Sequence, residues 1–93
     1  KQDGLDFNFN TNTFYVDNKN IDLTRTETKI LYYLIENKSQ VITKELLFNF
    51  VWGIDDEFID KNTLSVNISR IRNKLKPYDP IETVFGAGYK WNY

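Results

Sequence analysis

The sequence predicts an α+β domain: a small N-terminal antiparallel sheet, three helices and a C-terminal β-hairpin. Three observations lead there. Apolar and polar residues alternate in the first quarter of the chain, apolar residues recur at helical spacing through the middle, and two β-prone runs flank a glycine pair near the end.

Leu5, Phe7 and Phe9 alternate with Asp6, Asn8 and Asn10, the pattern of a half-buried strand. Asn10–Asn12 reads as a turn and Thr13–Val16 as a second strand. Asp17-Asn18-Lys19-Asn20 reads as another turn, and Ile21-Asp22-Leu23 as a short third strand. Thr24-Arg25-Thr26-Glu27 fits a capping box, in which the hydroxyl and the carboxylate each satisfy the other residue's backbone amide. A helix is expected to follow to about Asn37, burying Ile30, Leu31, Leu34 and Ile35. Val41-Ile42 is a short extended link. Thr43 then caps a second helix, Lys44 to about Val51, expected to turn Leu46, Leu47 and Phe50 inward before Trp52-Gly53 ends it. A third helix is expected over 61–76, because Leu64, Ile68, Ile71 and Leu75 form one apolar stripe. Pro77 closes it. Glu82–Phe85 and Tyr89–Tyr93 around Gly86-Ala87-Gly88 read as a hairpin. Two short helices, a longer third and a hairpin make the order of a winged helix-turn-helix.

Composition narrows the function classes. The 93 residues fit one domain, spanning 1–93, with 41% hydrophobic and 16% aromatic residues to build a core. Cysteine and histidine are both absent, which removes disulfides, thiolate metal sites, the usual general base and the commonest metal ligand. The Gly86-x-Gly88 pair sits in a hairpin, not between a strand and a helix, so it is no nucleotide loop. No enzyme and no cofactor is expected. No apolar run is long enough to span a membrane and no signal peptide opens the chain, so no membrane partner and a cytoplasmic location are expected. The lack of an initiator Met suggests a fragment of a longer protein.

The net charge of −1 argues mildly against a nucleic-acid partner, since phosphate neutralisation supplies much of such affinity, but its distribution matters more than its total. Lys61, Arg70, Arg72, Lys74 and Lys76 share one segment without an acid, whereas Asp55, Asp56, Glu57 and Asp60 gather just before it. Opposite the apolar stripe of the third helix lie Asn62, Val66, Ser69 and Asn73. Ser65, Arg72 and Lys76 flank them on one side, and Thr63, Arg70 and Lys74 on the other. Such a face, small at its centre and cationic at its edges, suits a major groove about 12 Å wide. Asn and Ser can bond base edges, Val66 can touch a thymine methyl, and the cations can hold phosphates. The bland alternative is a solvated polar face with cations favoured by the helix dipole.

Four motifs in order resemble the OmpR/PhoB family of bacterial response regulators: Leu23-Thr24-x-Thr26-Glu27, Leu46-Leu47-x-x-x-Val51-Trp52-Gly53, Asn62-Thr63-Leu64-x-Val66-x-Ile68-x-Arg70-Ile71-Arg72-x-Lys74-Leu75, and Gly86-x-Gly88-Tyr89. The resemblance implies the DNA-binding effector domain of a two-component system. Its receiver, phosphorylated by a sensor histidine kinase, would lie upstream. It further implies head-to-tail dimers on direct-repeat double-stranded DNA. By position it implies DNA contacts from Thr63, Ser65, Val66, Ser69, Arg70 and Arg72, phosphate contacts from Lys44 and Trp52, and a wing contact from Tyr89. For Trp52 the alternative is a core role and for Tyr89 wing packing, while Thr43 is first a helix cap and only second a phosphate donor. The loop 53–60 is often where this family meets RNA polymerase, which makes Asp55, Asp56 and Glu57 candidates for that contact. Their spacing fits no calcium loop, so a metal site is not expected.

The chain also departs from the pattern. The family's first sheet usually has four strands, of which three are readable here. Ser69 and Phe85 stand where some members carry arginine, and Arg25 where proline is common. Phe85 is expected to pack, leaving Lys90 as a weaker wing cation and minor-groove readout reduced. The stretch Trp52–Leu64 is similar to that of regulators answering cell-envelope antimicrobial peptides in low-GC Gram-positive bacteria. A winged helix that binds protein instead of DNA is the rival reading. It would tend to show acids or exposed aromatics on the third helix, and neither is present.

Overall fold

The computed structural model describes residues 4–53, 60 and 62–93. Its elements, in chain order, are β1 (Leu5–Asn8), β2 (Thr13–Val16), β3 (Lys19–Ile21), α1 (Arg25–Glu36), β4 (Ile42–Thr43), α2 (Lys44–Trp52), α3 (Asn62–Leu75), β5 (Ile81–Val84) and β6 (Gly88–Trp91). They form a winged helix-turn-helix, with one antiparallel sheet before the helices and a hairpin after them.

The first sheet runs β1-β2-β3, with Leu5 opposite Val16 and Phe14 opposite Ile21. Its third strand starts two residues earlier than the sequence suggests. Asp17 and Asn18 both take positive φ, 51° and 66°, so they close a two-residue turn by themselves and Lys19 already pairs with Val16. The sheet has three strands among the described residues. A strand formed by residues 1–3 would lie outside them.

The capping box of α1 is complete. Thr24 Oγ1 accepts the Glu27 amide at 3.1 Å, and Glu27 Oε1 accepts the Thr24 amide at 2.9 Å. Ile30, Leu31 and Leu34 are fully buried, while Ile35 is half-buried. At α2, Thr43 Oγ1 accepts the Leu46 amide as expected of a cap. The inward face of α2 differs from the expectation. Leu47 and Val51 are buried, whereas Leu46 and Phe50 are 51% and 44% exposed. The core therefore takes the Leu47/Val51 row, and Phe50 instead stacks on Tyr33 of α1 at 4.4 Å between ring centroids.

The α3 stripe is buried throughout, Leu64, Ile68, Ile71 and Leu75 each being 3% exposed or less. The link at Ile42–Thr43 is a true strand. It pairs with β6, giving a second sheet of order β4-β6-β5. This explains Gly88, which lies in β6 and not in the turn. A Cβ there would meet the Ile42 carbonyl oxygen at 2.0 Å. One core joins both sheets and all three helices, from Leu5 and Val16 through Ile30, Leu34, Leu47 and Ile71 to Tyr89 and Trp91. Phe7 of β1 reaches Trp91 of β6 edge-on at 6.2 Å.

Candidate nucleic-acid interface

Helix α3 is positioned by what it buries. With its apolar stripe fixed in the core, Asn62, Ser65, Val66, Ser69, Arg70 and Asn73 all point to solvent. The predicted central face is therefore continuous, and Val66 is 45% exposed at its middle. Its start is set by Asp60. The Asp60 carboxylate accepts the Asn62 amide at 2.8 Å and its carbonyl accepts the Thr63 amide at 2.9 Å. From sequence Asp60 belongs to an acidic loop, yet an Asp shortly before an apolar-periodic run is also a cap signal. Ser65 Oγ donates to the Asn62 carbonyl at 3.0 Å, which holds it flat on the helix. Asn67, for which the helical pattern gives no signal, is buried and donates back to the Thr63 carbonyl at 2.9 Å.

The cationic edges are thinner than expected. Arg70 is exposed, as is Lys76 just beyond the helix, and neither has an ion pair among the described residues. Lys74 turns inward, to Glu27 Oε1 at 2.6 Å. Arg72 turns toward the hairpin, where Nη2 donates to the Ile81 carbonyl at 2.8 Å and to Thr83 Oγ1 at 2.7 Å. Lys74 is therefore no edge cation, and Arg72 is engaged within the fold at the face it was expected to offer to phosphate. Thr63 is half-buried at the rim.

The other candidates sort by burial. Lys44 is exposed at the start of α2. Trp52 is half-buried, packs on the core and tilts against Phe48 at 4.8 Å, which favours its core role. Tyr89 is 5% exposed, a core residue that leaves little ring for a wing contact. Lys90 lies 3.6 Å from the Glu82 carboxylate, so even the weaker wing cation has a partner. Phe85 does not pack. It sits at the hairpin tip next to Gly86, whose φ is 79°, and is 93% exposed, so the ring is left in solvent. Phe85→Ser is accordingly expected to shift stability by no more than about 0.5 kcal/mol in urea unfolding.

Asp55, Asp56, Glu57 and Lys61 lie outside the described residues. Among the described residues no group of acids is placed to hold a metal, and no helix is long and apolar enough to cross a membrane. A surface groove between the first sheet and α1, lined by Phe14, Ile21, Leu23, Arg25 and Lys29 among others, shares no residue with the α3 face.

Residues 18–91 match the family model described as transcriptional regulatory protein, C terminal. The response regulator ArlR of Staphylococcus aureus is 44% identical over 89 residues, an alignment covering 92% of this chain and 40% of that protein. The chain thus spans less than half the length of this curated relative. Among solved structures, the C-terminal domain of the nisin resistance regulator NsrR, a lantibiotic response regulator, superposes with a TM-score of 0.78 at 38% identity, covering 98% of this chain and 93% of that one. The DNA-binding domain of CpxR from E. coli gives 0.81 at 28% identity, covering 99% and 93%.

Proposed function

Because the chain belongs to the family of transcriptional regulatory protein C-terminal domains, we propose that it is the sequence-specific DNA-binding effector of a two-component response regulator, with α3 lying in a major groove. The observation that carries this reading is the α3 face. Its exposed residues Asn62, Ser65, Val66, Ser69, Arg70 and Asn73 include no acid and no aromatic, over a helix held rigidly from below by four buried side chains. Small polar groups at the centre suit base edges, and Val66 suits a thymine methyl. Lys44, Arg70 and Lys76 suit phosphates, each neutralised phosphate contributing about −0.9 to the slope of log affinity against log salt.

Related proteins support the wider setting. ArlR is named a response regulator, and its greater length is consistent with a receiver that here would precede residue 1 and take phosphate from a sensor kinase. In that setting the domain acts in the cytoplasm, binds rather than catalyses, and pairs head-to-tail on a direct repeat. Asp55, Asp56 and Glu57 would offer acids to a basic surface of RNA polymerase. The likeness to the nisin resistance regulator supports cell-envelope antimicrobial peptides as the stimulus.

The test is fluorescence anisotropy of the domain on random duplex DNA and on a selected pool, at salt between about 50 and 200 mM. Binding that weakens steeply with salt and enriches a direct repeat supports the reading. Absence of binding at low salt would move the function to a protein partner. Arg70→Ala is expected to weaken all duplexes alike and to reduce the salt slope by about 1, whereas Val66→Ala shifts base preference at an unchanged slope.

A further inference from the structure

We propose that Arg72 is a positioning residue that sets the angle between α3 and the hairpin, and that it does not clamp a DNA phosphate. The proposal rests on the DNA-binding reading above. Arg72 sits in the last third of α3, between the buried stripe and the exposed face, and is half-buried. Both hydrogens of Nη2 are used, one on the Ile81 carbonyl and one on Thr83 Oγ1. A bidentate grip on phosphate needs a free pair of parallel N–H groups, and this nitrogen no longer supplies its half. The guanidinium carbon also lies 5.9 Å from the centre of the Tyr89 ring. Thr83 and Tyr89 are opposite one another in the β5–β6 register, so the guanidinium spans both strands of the hairpin.

The arrangement has a counterpart on the other flank. Two residues along, Lys74 ties α3 to α1 through Glu27, while Arg72 ties α3 to the hairpin. Among the described residues, the hydrogen bonds that join α3 to β5 both come from Arg72. A helix in one groove and a hairpin reaching toward neighbouring backbone bind together most tightly when their mutual angle is fixed beforehand. Free play between them is paid as lost affinity.

The experiment compares the domain with Arg72→Ala, Arg72→Lys, Thr83→Val and the Arg72→Ala/Thr83→Val pair. Anisotropy is read on a selected duplex across a salt series, at a temperature where circular dichroism shows every variant folded. Positioning predicts about tenfold weaker binding for Arg72→Ala with the salt slope unchanged. It also predicts a smaller loss in the same direction for Thr83→Val, no further loss in the pair, and little rescue by lysine, which keeps the charge but not the fork. A slope reduced by about 1 together with rescue by lysine would identify a phosphate contact and overturn the proposal. Unchanged affinity would overturn it too. Hydrogen exchange on the free domain supplies an arm that needs no DNA. Faster exchange of β5 and β6 amides in Arg72→Ala, with α3 unchanged, supports the tether, and unchanged hairpin protection refutes it. Should the wild type bind no duplex, the DNA reading falls by itself and the exchange result still decides the tether.

Discussion

Gly88→Ala is expected to cost the domain a large share of its stability. The added Cβ would lie 2.0 Å from the Ile42 carbonyl oxygen and 2.8 Å from both the Ile42 carbonyl carbon and Thr43 Cα. All three are backbone atoms, so no side chain can swing aside. Either β4 parts from β6, or β6 shifts and withdraws Tyr89 and Trp91 from the core. A cost of about 3 kcal/mol or more follows from such overpacking, against a total of about 5–15 kcal/mol for a domain of this kind. Thermal unfolding should fall by more than about 12 °C. Gly86, two residues away, is the internal control. It has open space around it and a φ of 79°, so Gly86→Ala brings only backbone strain, about 1 kcal/mol. Greater damage from Gly86→Ala than from Gly88→Ala would show that the turn, and not the β4–β6 contact, limits the fold.

The second large effect is expected at the Glu27–Lys74 pair, and it should be asymmetric. Glu27 is 1% exposed and its Oε1 holds both the Thr24 amide and Lys74 Nζ. Lys74 is itself 34% exposed. Lys74→Ala therefore strands a buried carboxylate on one amide, at a cost of about 2–4 kcal/mol. Glu27→Gln costs less, because the amide keeps the Thr24 bond and the freed ammonium extends into water. Adding Glu27→Gln to Lys74→Ala is expected to recover part of the loss, since the uncompensated charge is gone. Urea unfolding of the three variants measures this. A double variant that simply sums the two single losses would mean that the carboxylate is not dependent on Lys74.

These two sites illustrate what a sequence reveals about such a domain. Thr24 and Glu27 announce their capping box because both partners are local. The α3 stripe is legible for the same reason, its period being a property of the helix alone. Periodicity also gave the direction in which Arg72 and Lys74 leave the helix, but not what they meet. Glu27 lies 47 residues from Lys74 and Thr83 lies 11 from Arg72. Both cations looked available for phosphate because nothing nearby in the chain occupies them. The inward face of α2 was obscured differently. Leu46, Leu47, Phe50 and Val51 are all apolar over little more than one turn, and the choice of the Leu47/Val51 row belongs to the core that receives it. At Phe85 the expectation of packing followed from hydrophobicity alone. The hairpin tip is simply out of reach of any partner ring.

The placement of β6 also governs the order in which the molecule can assemble. Its partner β4 lies far earlier in the chain, Ile42 facing Tyr89, and the Trp91 carbonyl accepts the Ser39 amide at 3.1 Å. Trp91 in turn closes the core over Phe7, near the opposite end of the chain. Contacts this distant in sequence require long loops to close before they return any energy, which slows folding relative to a plain helical bundle of equal length. The helices all precede β6 in the chain, so the core they share lacks Tyr89 and Trp91 until that last strand is in place. The hairpin, last of the described elements in chain order, is thus the piece that completes the core.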